Sequence, residues 1–160
     1  MPGSTDHHIK LKWANEEDFG DCERILRQFP DWFGIEASIA AYTKDLTTSD
    51  VVVARQDGQV VGFLALRDHN PSTAKIHVMA VSPDAQRIGI GRALVLEAVE
   101  RASASNTKLL EVKTLGPSHP DPFYAGTRMF YEAMGFIPLE ELDELWSGNP
   151  CLIMVKVLAD

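Results

Sequence analysis

A chain of 160 residues can bury one hydrophobic core but has too little surface for two large ones, so we expect a single domain over residues 1–160. The formal net charge of -8 argues against nucleic acid or an anionic membrane as a partner, because both are bound through an excess of lysine and arginine. No apolar stretch approaches the ~18 residues of a membrane span and residues 1–8 are polar, so we expect a cytoplasmic protein with a flexible tail at 1–8.

Hydrophobic periodicity predicts seven strands and about four helices. Asn15 is a typical N-cap for the first helix, and Pro30 predicts its end. Asp57 and Gly58 predict the tight turn of a hairpin. The predicted strands are Ile9–Trp13, Val51–Arg55, Val60–Leu66, Lys75–Val81, Lys108–Leu115, Ile137–Leu139 and Cys151–Leu158. The predicted helices cover 16–29, about 31–46, about 91–104 and a segment closed by Gly135.

The segment Gln86–Gly91 lies between the fourth predicted strand and the third predicted helix. Gly89 and Gly91 let the backbone turn tightly and direct successive N–H groups into one concavity. The following helix adds the positive end of its dipole, and Arg87 and Arg92 add mobile positive charge. This pattern predicts an anion site. An ordinary connection between a strand and a helix is the alternative.

Two other nucleotide-binding loops fit this segment less well. A Rossmann loop has a third glycine where Leu94 stands, and a Walker A loop has a Gly-Lys-Ser/Thr sequence that is absent here. The segment from Val78 to Leu94 instead resembles the acyl-CoA-binding core of the GNAT superfamily. Phe130–Phe136, with Tyr131 before the final Gly-Phe, is similar to the second signature of that family. On both motifs the chain is identified as a member of the GNAT superfamily of acyl-CoA-dependent N-acetyltransferases.

The resemblance implies an α/β (α+β) fold, in which a mixed central sheet is flanked by about four helices. The central strands 75–81 and 108–115 would splay apart and admit acetyl-CoA as the acyl donor. Its pantetheine arm would pair with the backbone of β-strand residues, and its diphosphate would bind N–H groups of the glycine loop. Tyr124 stands where many members carry an asparagine that contacts the cofactor. The implied cofactor-binding residues are Met79, Val81, Gln86, Arg87, Ile88, Gly89, Ile90, Gly91, Arg92 and Tyr124.

The resemblance also implies direct acetyl transfer to a primary amine in a ternary complex. Tyr131 is the candidate general acid, because a phenol can protonate a thiolate of comparable basicity; the alternative is a packing role. His77, at a position where the family member serotonin N-acetyltransferase carries a histidine, is one candidate general base, and the alternative is a half-exposed strand residue without a catalytic role. Glu111 on the neighbouring splayed strand is the other, unless it is a surface acid beside Lys113. Asp121 and His119 lie in the loop before the tyrosine helix, where an acceptor would pass, or are simply solvated.

The two cysteines, Cys22 and Cys151, lie in apolar patterns that predict buried thiols rather than a disulfide or a metal pair, and no metal is expected. Apolar neighbours would raise the pKa of the Cys151 thiol, which opposes a covalent acyl-enzyme.

The expected acceptor is a small-molecule amine or a peptide amine. In this family the first two helices border the acceptor cleft, and acids on the first helix here would attract cations. These acids are Glu16, Glu17, Asp18, Asp21 and Glu23. An assembly protein is one interpretation of Trp146 beside the acids of 140–144, and a homodimer edge is another. The acidic run itself is explained equally by a solvated face. A non-catalytic acyl-CoA-binding sensor or scaffold is the alternative function.

Overall fold

The computed structural model describes residues 9–29, 36–86, 88–146 and 148–158. The predicted tail at 1–8, Pro30, the start of the second predicted helix at 31–35, and Arg87 lie outside these ranges. Within them, no helix combines the length and the apolar content needed to cross a membrane.

Seven strands and four α-helices form within the described ranges, which confirms the predicted mixed α/β fold class. The strands are β1 (Ile9–Trp13), β2 (Asp50–Gln56), β3 (Gln59–Asn70), β4 (Thr73–Val81), β5 (Leu109–Leu115), β6 (Ile137–Trp146) and β7 (Asn149–Val157). The helices are α1 (Phe19–Leu26), α2 (Glu36–Leu46), α3 (Ile90–Ala104) and α4 (Pro122–Ala133), with short 3-10 turns at Glu16–Asp18 and Pro83–Ala85. One sheet contains the strands in the order β1-β2-β3-β4-β5-β7-β6.

The first helix is shorter than its sequence pattern predicts. Asn15 is the N-cap, as predicted, and accepts a hydrogen bond within the 3-10 turn that precedes α1. After Leu26 the amides of Gln28 and Phe29 donate to carbonyls three residues earlier, which tightens the chain into a turn. The helix therefore ends at Leu26, and the prediction that Pro30 would end it is wrong.

The alternation predicted for β4 is confirmed. Side chains of one set, Ile76, Val78 and Ala80 among them, are buried, and the residues between them are half-buried. The parallel pairing of β4 with β5 joins Thr73–Ile76 to Leu109–Val112. Both strands extend beyond this pairing, which agrees with the predicted splay.

The described residues separate into two compact units. The first comprises those up to Arg67 together with Val78–Ala98. Its apolar core packs α1 and α2 on the sheet. The buried members of this core are Cys22, Ile25, Leu26, Phe29, Leu46, Val51, Val53, Val60, Phe63, Ala65, Val78 and Ala80. This core fixes the end of β4, from which the glycine loop departs.

The second unit comprises Asp68–His77 and the described residues from Val99 onward. Within it, β7 pairs antiparallel with both β5 and β6. Nη1 of Arg128 on α4 donates to the carbonyl of Leu115 at 2.7 Å, and this hydrogen bond ties the helix to the end of β5. The position of Tyr131, one turn further along α4, follows from that attachment.

The strand β6 is longer than predicted. The alternation of apolar residues ends at Leu139, but the strand continues through the acids of 140–144 to the half-buried Trp146. Register shifts interrupt its pairing with β7 between Pro138 and Glu140 and again beyond Leu142. In the described sheet β6 is an edge strand, and its apolar residues Ile137 and Leu139 are exposed.

Candidate active site

The glycine loop begins at a segment of the first unit that is tied to β3. The amide of Ser82 donates to the carbonyl of Val61 at 2.7 Å, and the amide of Ala85 donates to the carbonyl of Ser82 at 2.9 Å. Ser82 and Ala85 are both buried. These hydrogen bonds fix the direction in which the loop leaves β4.

Gly89 makes the turn that begins α3. Its φ of +87° lies in the left-handed region that favours glycine. Its carbonyl accepts the amide of Ala93 at 3.0 Å. Ile90 is buried, and its Cγ2 atom lies 3.1 Å from the position that a Cβ on Gly62 would take. The start of α3 is therefore packed closely on β3.

The start of α3 has the physical properties of an anion site. The first amides of an α-helix have no partner within the helix, and they carry the positive end of its dipole. The side chain of Arg92 in this first turn is exposed. Arg87 lies outside the described residues. Of the predicted loop residues, Ile88, Gly89, Ile90, Gly91 and Arg92 come together at this point.

The side chain of Gln86 makes a contact that we did not predict. Its Nε2 donates to the carbonyl of Val81 at 3.1 Å. Val81 and Met79 are the two β4 residues whose backbone was expected to pair with a pantetheine arm, and both side chains are half-buried. The Val81 carbonyl, which lies on the strand expected to bind the pantetheine arm, is therefore hydrogen-bonded to the side chain of Gln86.

Tyr131 lies in the second unit and is only 5% exposed. Its ring packs between Phe130, at a centroid distance of 5.3 Å, and Phe136, at 5.4 Å. Burial, with a smaller effect of Tyr124, raises the pKa of the Tyr131 hydroxyl well above its usual range. The hydroxyl is thus held in its protonated form, which can donate a proton but is a weaker acid than a free phenol.

Asp121 has a structural function in this helix. Its carboxylate caps α4 by accepting the amides of Phe123 at 2.9 Å and Tyr124 at 3.4 Å. This capping role explains why an acidic residue stands directly before α4. Tyr124 is half-buried on the first turn of α4, with its ring 5.3 Å from that of Phe123.

Glu111 is held by two partners in the second unit. Its Oε2 is 3.0 Å from Nε2 of His69, and its Oε1 accepts a hydrogen bond from Nζ of Lys113. Burial alone would raise the pKa of Glu111, but the contacts with Lys113 and His69 outweigh it and lower the pKa. Glu111 is therefore an ionised carboxylate of fixed orientation.

His69 was missed by the sequence analysis. It lies 42 residues from Glu111, and its neighbours Asn70 and Pro71 predict only a turn. The other predicted base, His77, is half-buried on β4. His77 is two residues beyond Lys75, the register partner of Glu111, so His77 and Glu111 lie on the same face of the sheet.

The two cysteines are buried free thiols. Burial raises the pKa of Cys22 to about 12, with contributions from Asp18 and Asp21. Burial also raises the pKa of Cys151, an effect that Lys113 reduces and Glu111 increases. A raised thiol pKa opposes nucleophilic catalysis by Cys151, as expected.

Arginines neutralise much of the expected acidic rim. Asp18 is 4% exposed and forms an ion pair with Arg55, so it faces the protein rather than solvent. Two further acids pair with arginines of α1 and the turn after it: Asp21 with Arg24 at 3.5 Å, and Glu23 with Arg27 at 2.9 Å. Of the five predicted acids, Glu16 and Glu17 remain as exposed carboxylates outside these pairs.

Comparison with known proteins identifies the family of this chain. Residues 47–138 match the model of the acetyltransferase (GNAT) domain, a range that includes β4, the glycine loop, α3 and α4. The L-2,4-diaminobutyric acid acetyltransferase of Nocardia farcinica is 37% identical over 125 residues. That match covers 74% of this chain but only 64% of the relative.

Two solved structures have the same fold. A GNAT-family protein from Desulfovibrio desulfuricans matches with a TM-score of 0.82 at 22% identity, over 94% of this chain and 99% of that one. The protein yncA from Salmonella typhimurium, solved with its cofactor acetyl-CoA, matches with a TM-score of 0.70 at 16% identity, over 95% of each chain. By the matched domain, which spans more than half of the sequence, this chain belongs to the GNAT family of acetyltransferases.

Proposed function

We propose that this protein transfers the acetyl group of acetyl-CoA to a primary amine by direct attack in a ternary complex. The observation that carries the proposal is the turn at Gly89, whose φ of +87° precedes α3 and follows the end of β4, because the N-terminus of a helix carries the positive end of its dipole. Phosphate groups are among the anions that helix N-termini bind, so the ligand that we assign to this loop is a diphosphate. Membership of the GNAT family and the acetyl-CoA held by yncA support acetyl-CoA as its source.

The acyl donor is assigned to residues of β4, the loop and α4. Backbone groups of β4 would pair with the pantetheine arm as an added strand does, and loop amides would hold the diphosphate. Tyr124 replaces the asparagine expected at its position and would contact the cofactor arm. The proposed donor-binding residues are Met79, Val81, Gln86, Arg87, Ile88, Gly89, Ile90, Gly91, Arg92 and Tyr124.

Three groups are assigned to the chemistry. Glu111 or His77 takes the proton that the acceptor ammonium must lose before it can attack. The neutral nitrogen then attacks the thioester carbonyl, and Tyr131 protonates the departing thiolate. The hydroxyl of Tyr131 is protonated and can supply that proton, but its raised pKa makes it a weaker acid than a free phenol. The raised pKa of Cys151 supports direct transfer rather than an acyl-enzyme.

The acceptor is proposed to be a small-molecule amine, with a peptide amine as the second possibility. The N. farcinica relative is named for an amino acid with a side-chain amine, which makes L-2,4-diaminobutyrate the first acceptor to test. The remaining exposed acids, Glu16 and Glu17, contribute a small electrostatic attraction for cations that salt would screen.

Calorimetric titration with acetyl-CoA tests the donor site. Gly91→Glu places bulk and negative charge at the first turn of α3 and should abolish binding while thermal unfolding remains cooperative. Gly20→Glu adds the same charge on α1, where no atom lies within 4 Å of an added Cβ, and should bind normally. Unchanged affinity in a folded Gly91→Glu variant would refute the donor site.

Release of free CoA thiol with a panel of amines tests the transfer. We expect wild-type protein to release thiol with at least one primary amine and to produce the N-acetyl product. Tight binding of acetyl-CoA without turnover on any amine would instead favour the alternative of a non-catalytic acyl-CoA-binding module.

A further inference from the structure

The cluster of His69, Glu111 and Lys113 runs from a partly buried carboxylate toward solvent. The side chain of Glu111 is 15% exposed, that of Lys113 is 28% exposed and that of His69 is 34% exposed. His69 lies in the polar end of β3, where Asp68 and Asn70 are also exposed. His69 is therefore the partner of Glu111 that is most exposed to solvent.

The three side chains differ in what they can do with a proton. The lysine ammonium only donates hydrogen bonds, so Lys113 orients Oε1 of Glu111 and takes nothing from it. Each carboxylate oxygen has two lone-pair sites, so Oε2 can accept a second hydrogen bond beside that of His69. Imidazole both gains and loses protons near neutral pH, through two different nitrogens.

Groups from the neighbouring strands also face this carboxylate. Lys75 of β4 and Val155 of β7 are its register partners on the two sides. Cys151 of β7 is close enough for Glu111 and Lys113 to affect its thiol. His77 of β4, two residues beyond Lys75, also lies on the face of the sheet that carries Glu111.

We propose that His69 is a positioning and proton-relay residue that acts through Glu111. The inference rests on the proposed acetyl transfer, with Glu111 as its base. An N–H bond of the acceptor ammonium breaks and the proton moves to Oε2 of Glu111. That O–H bond then breaks as the proton passes to the Nε2 lone pair of neutral His69, in the tautomer that carries its hydrogen on Nδ1, and the imidazolium releases the Nδ1 proton to water. Proton exchange with water then returns His69 to the Nδ1–H tautomer before the next turnover. Lys113 keeps Oε1 occupied, so Oε2 stays directed at His69.

The test is the pH profile of kcat/KM with the best amine of the panel, measured from about pH 5.5 to 9 to span the titration of histidine. His69→Gln keeps a hydrogen-bond donor for Oε2 but cannot relay a proton. His69→Ala opens a space that imidazole can enter from solvent, because the side chain is one-third exposed. Asp68→Asn, an exposed neighbour on the same strand, is the matched control.

We expect His69→Gln to lower kcat/KM about 10-fold or more at neutral pH and to lose the rise of the wild-type profile through the histidine range. Added imidazole should restore activity to His69→Ala, and more so at higher pH, where imidazole is neutral. Glu111→Gln should be inactive and insensitive to imidazole. Asp68→Asn should keep the wild-type profile.

Superimposed pH profiles of wild type and His69→Gln would overturn the relay, as would a folded His69→Ala variant that imidazole does not rescue. Full activity of Glu111→Gln would overturn it as well. In each case the wild-type protein still acetylates amines, so the proposed function stands. Wild-type protein that acetylates no amine would refute the proposed function itself, and the relay with it.

Discussion

Replacing Tyr131 by phenylalanine should lower kcat about 100-fold. A well-placed general acid contributes about 10²- to 10⁴-fold to a rate. Burial raises the pKa of the Tyr131 hydroxyl and makes it a weaker acid, so we expect the lower end of that range. A 100-fold decrease corresponds to about 2.7 kcal/mol of lost stabilisation of the transition state.

The fold should tolerate this change. Phenylalanine keeps the ring that packs against Phe130 and Phe136 and leaves no cavity, so the free energy of unfolding should change by about 1 kcal/mol or less. The affinity for acetyl-CoA should also stay close to wild type, because the hydroxyl acts on the departing thiolate. Steady-state thiol release gives kcat, and calorimetry gives the affinity.

Tyr42→Phe is the matched control for Tyr131→Phe. Tyr42 is a half-buried tyrosine of α2, and burial raises the pKa of its hydroxyl as it does for Tyr131. Tyr42 has no assigned part in the reaction. Its substitution should leave kcat unchanged. A folded Tyr131→Phe variant with the same kcat as Tyr42→Phe would refute the general-acid assignment and leave Tyr131 a packing residue.

Three stability predictions follow from the described contacts. Asp18→Asn leaves the partly buried Arg55 without its counter-charge and should lower the free energy of unfolding by about 2 kcal/mol at pH 7. The pKa of Asp18 is lowered in the folded state, so the difference in stability between wild type and Asp18→Asn should shrink as pH falls below about 4. If urea unfolding gave the same difference at pH 7 and at about pH 3.5, this prediction would be contradicted. Thr114→Val should raise the free energy of unfolding by about 1 kcal/mol, because Thr114 Oγ1 is buried without a hydrogen-bond partner among the described residues, and a loss of stability would count against this. Gly89→Ala should lower the free energy of unfolding by about 1 kcal/mol, because alanine is disfavoured at the positive φ of this position. Gly20→Ala within α1 should raise the free energy of unfolding by a few tenths of a kcal/mol or more, and changes of the same sign in both variants would refute the conformational explanation.

Local patterns predicted the frame of the fold well. The strand β1 begins and ends at the residues where its alternating pattern begins and ends. Along β4, buried and half-buried side chains alternate at every residue, as the sequence pattern predicts. Such patterns work because an element with one buried face must repeat apolar residues with its own period. The glycine loop was predictable for a similar reason, since the turn at Gly89 requires a backbone conformation that few other residues adopt.

Contacts between distant segments were beyond the reach of these patterns. The pairing of His69 with Glu111 depends on the register of three strands, and nothing in either local sequence encodes it. The hydrogen bond from Gln86 to the Val81 carbonyl depends on one side-chain rotamer. The length of β6 was missed because its outward acids have the composition of a solvated loop, and strand pairing with β7 outweighs that local preference.

The irregular pairing of β6 has a consequence for the solubility of the protein. An open sheet edge with exposed Ile137 and Leu139 would ordinarily attract a strand of another molecule. Here Pro138 has no amide hydrogen to donate, the register shifts break the regular hydrogen-bonding pattern of β6, and the acids from Glu140 to Glu144 place like charges against any second copy. Neutralising those acids, by low pH or by substitution, would therefore turn a protected edge into a site of aggregation.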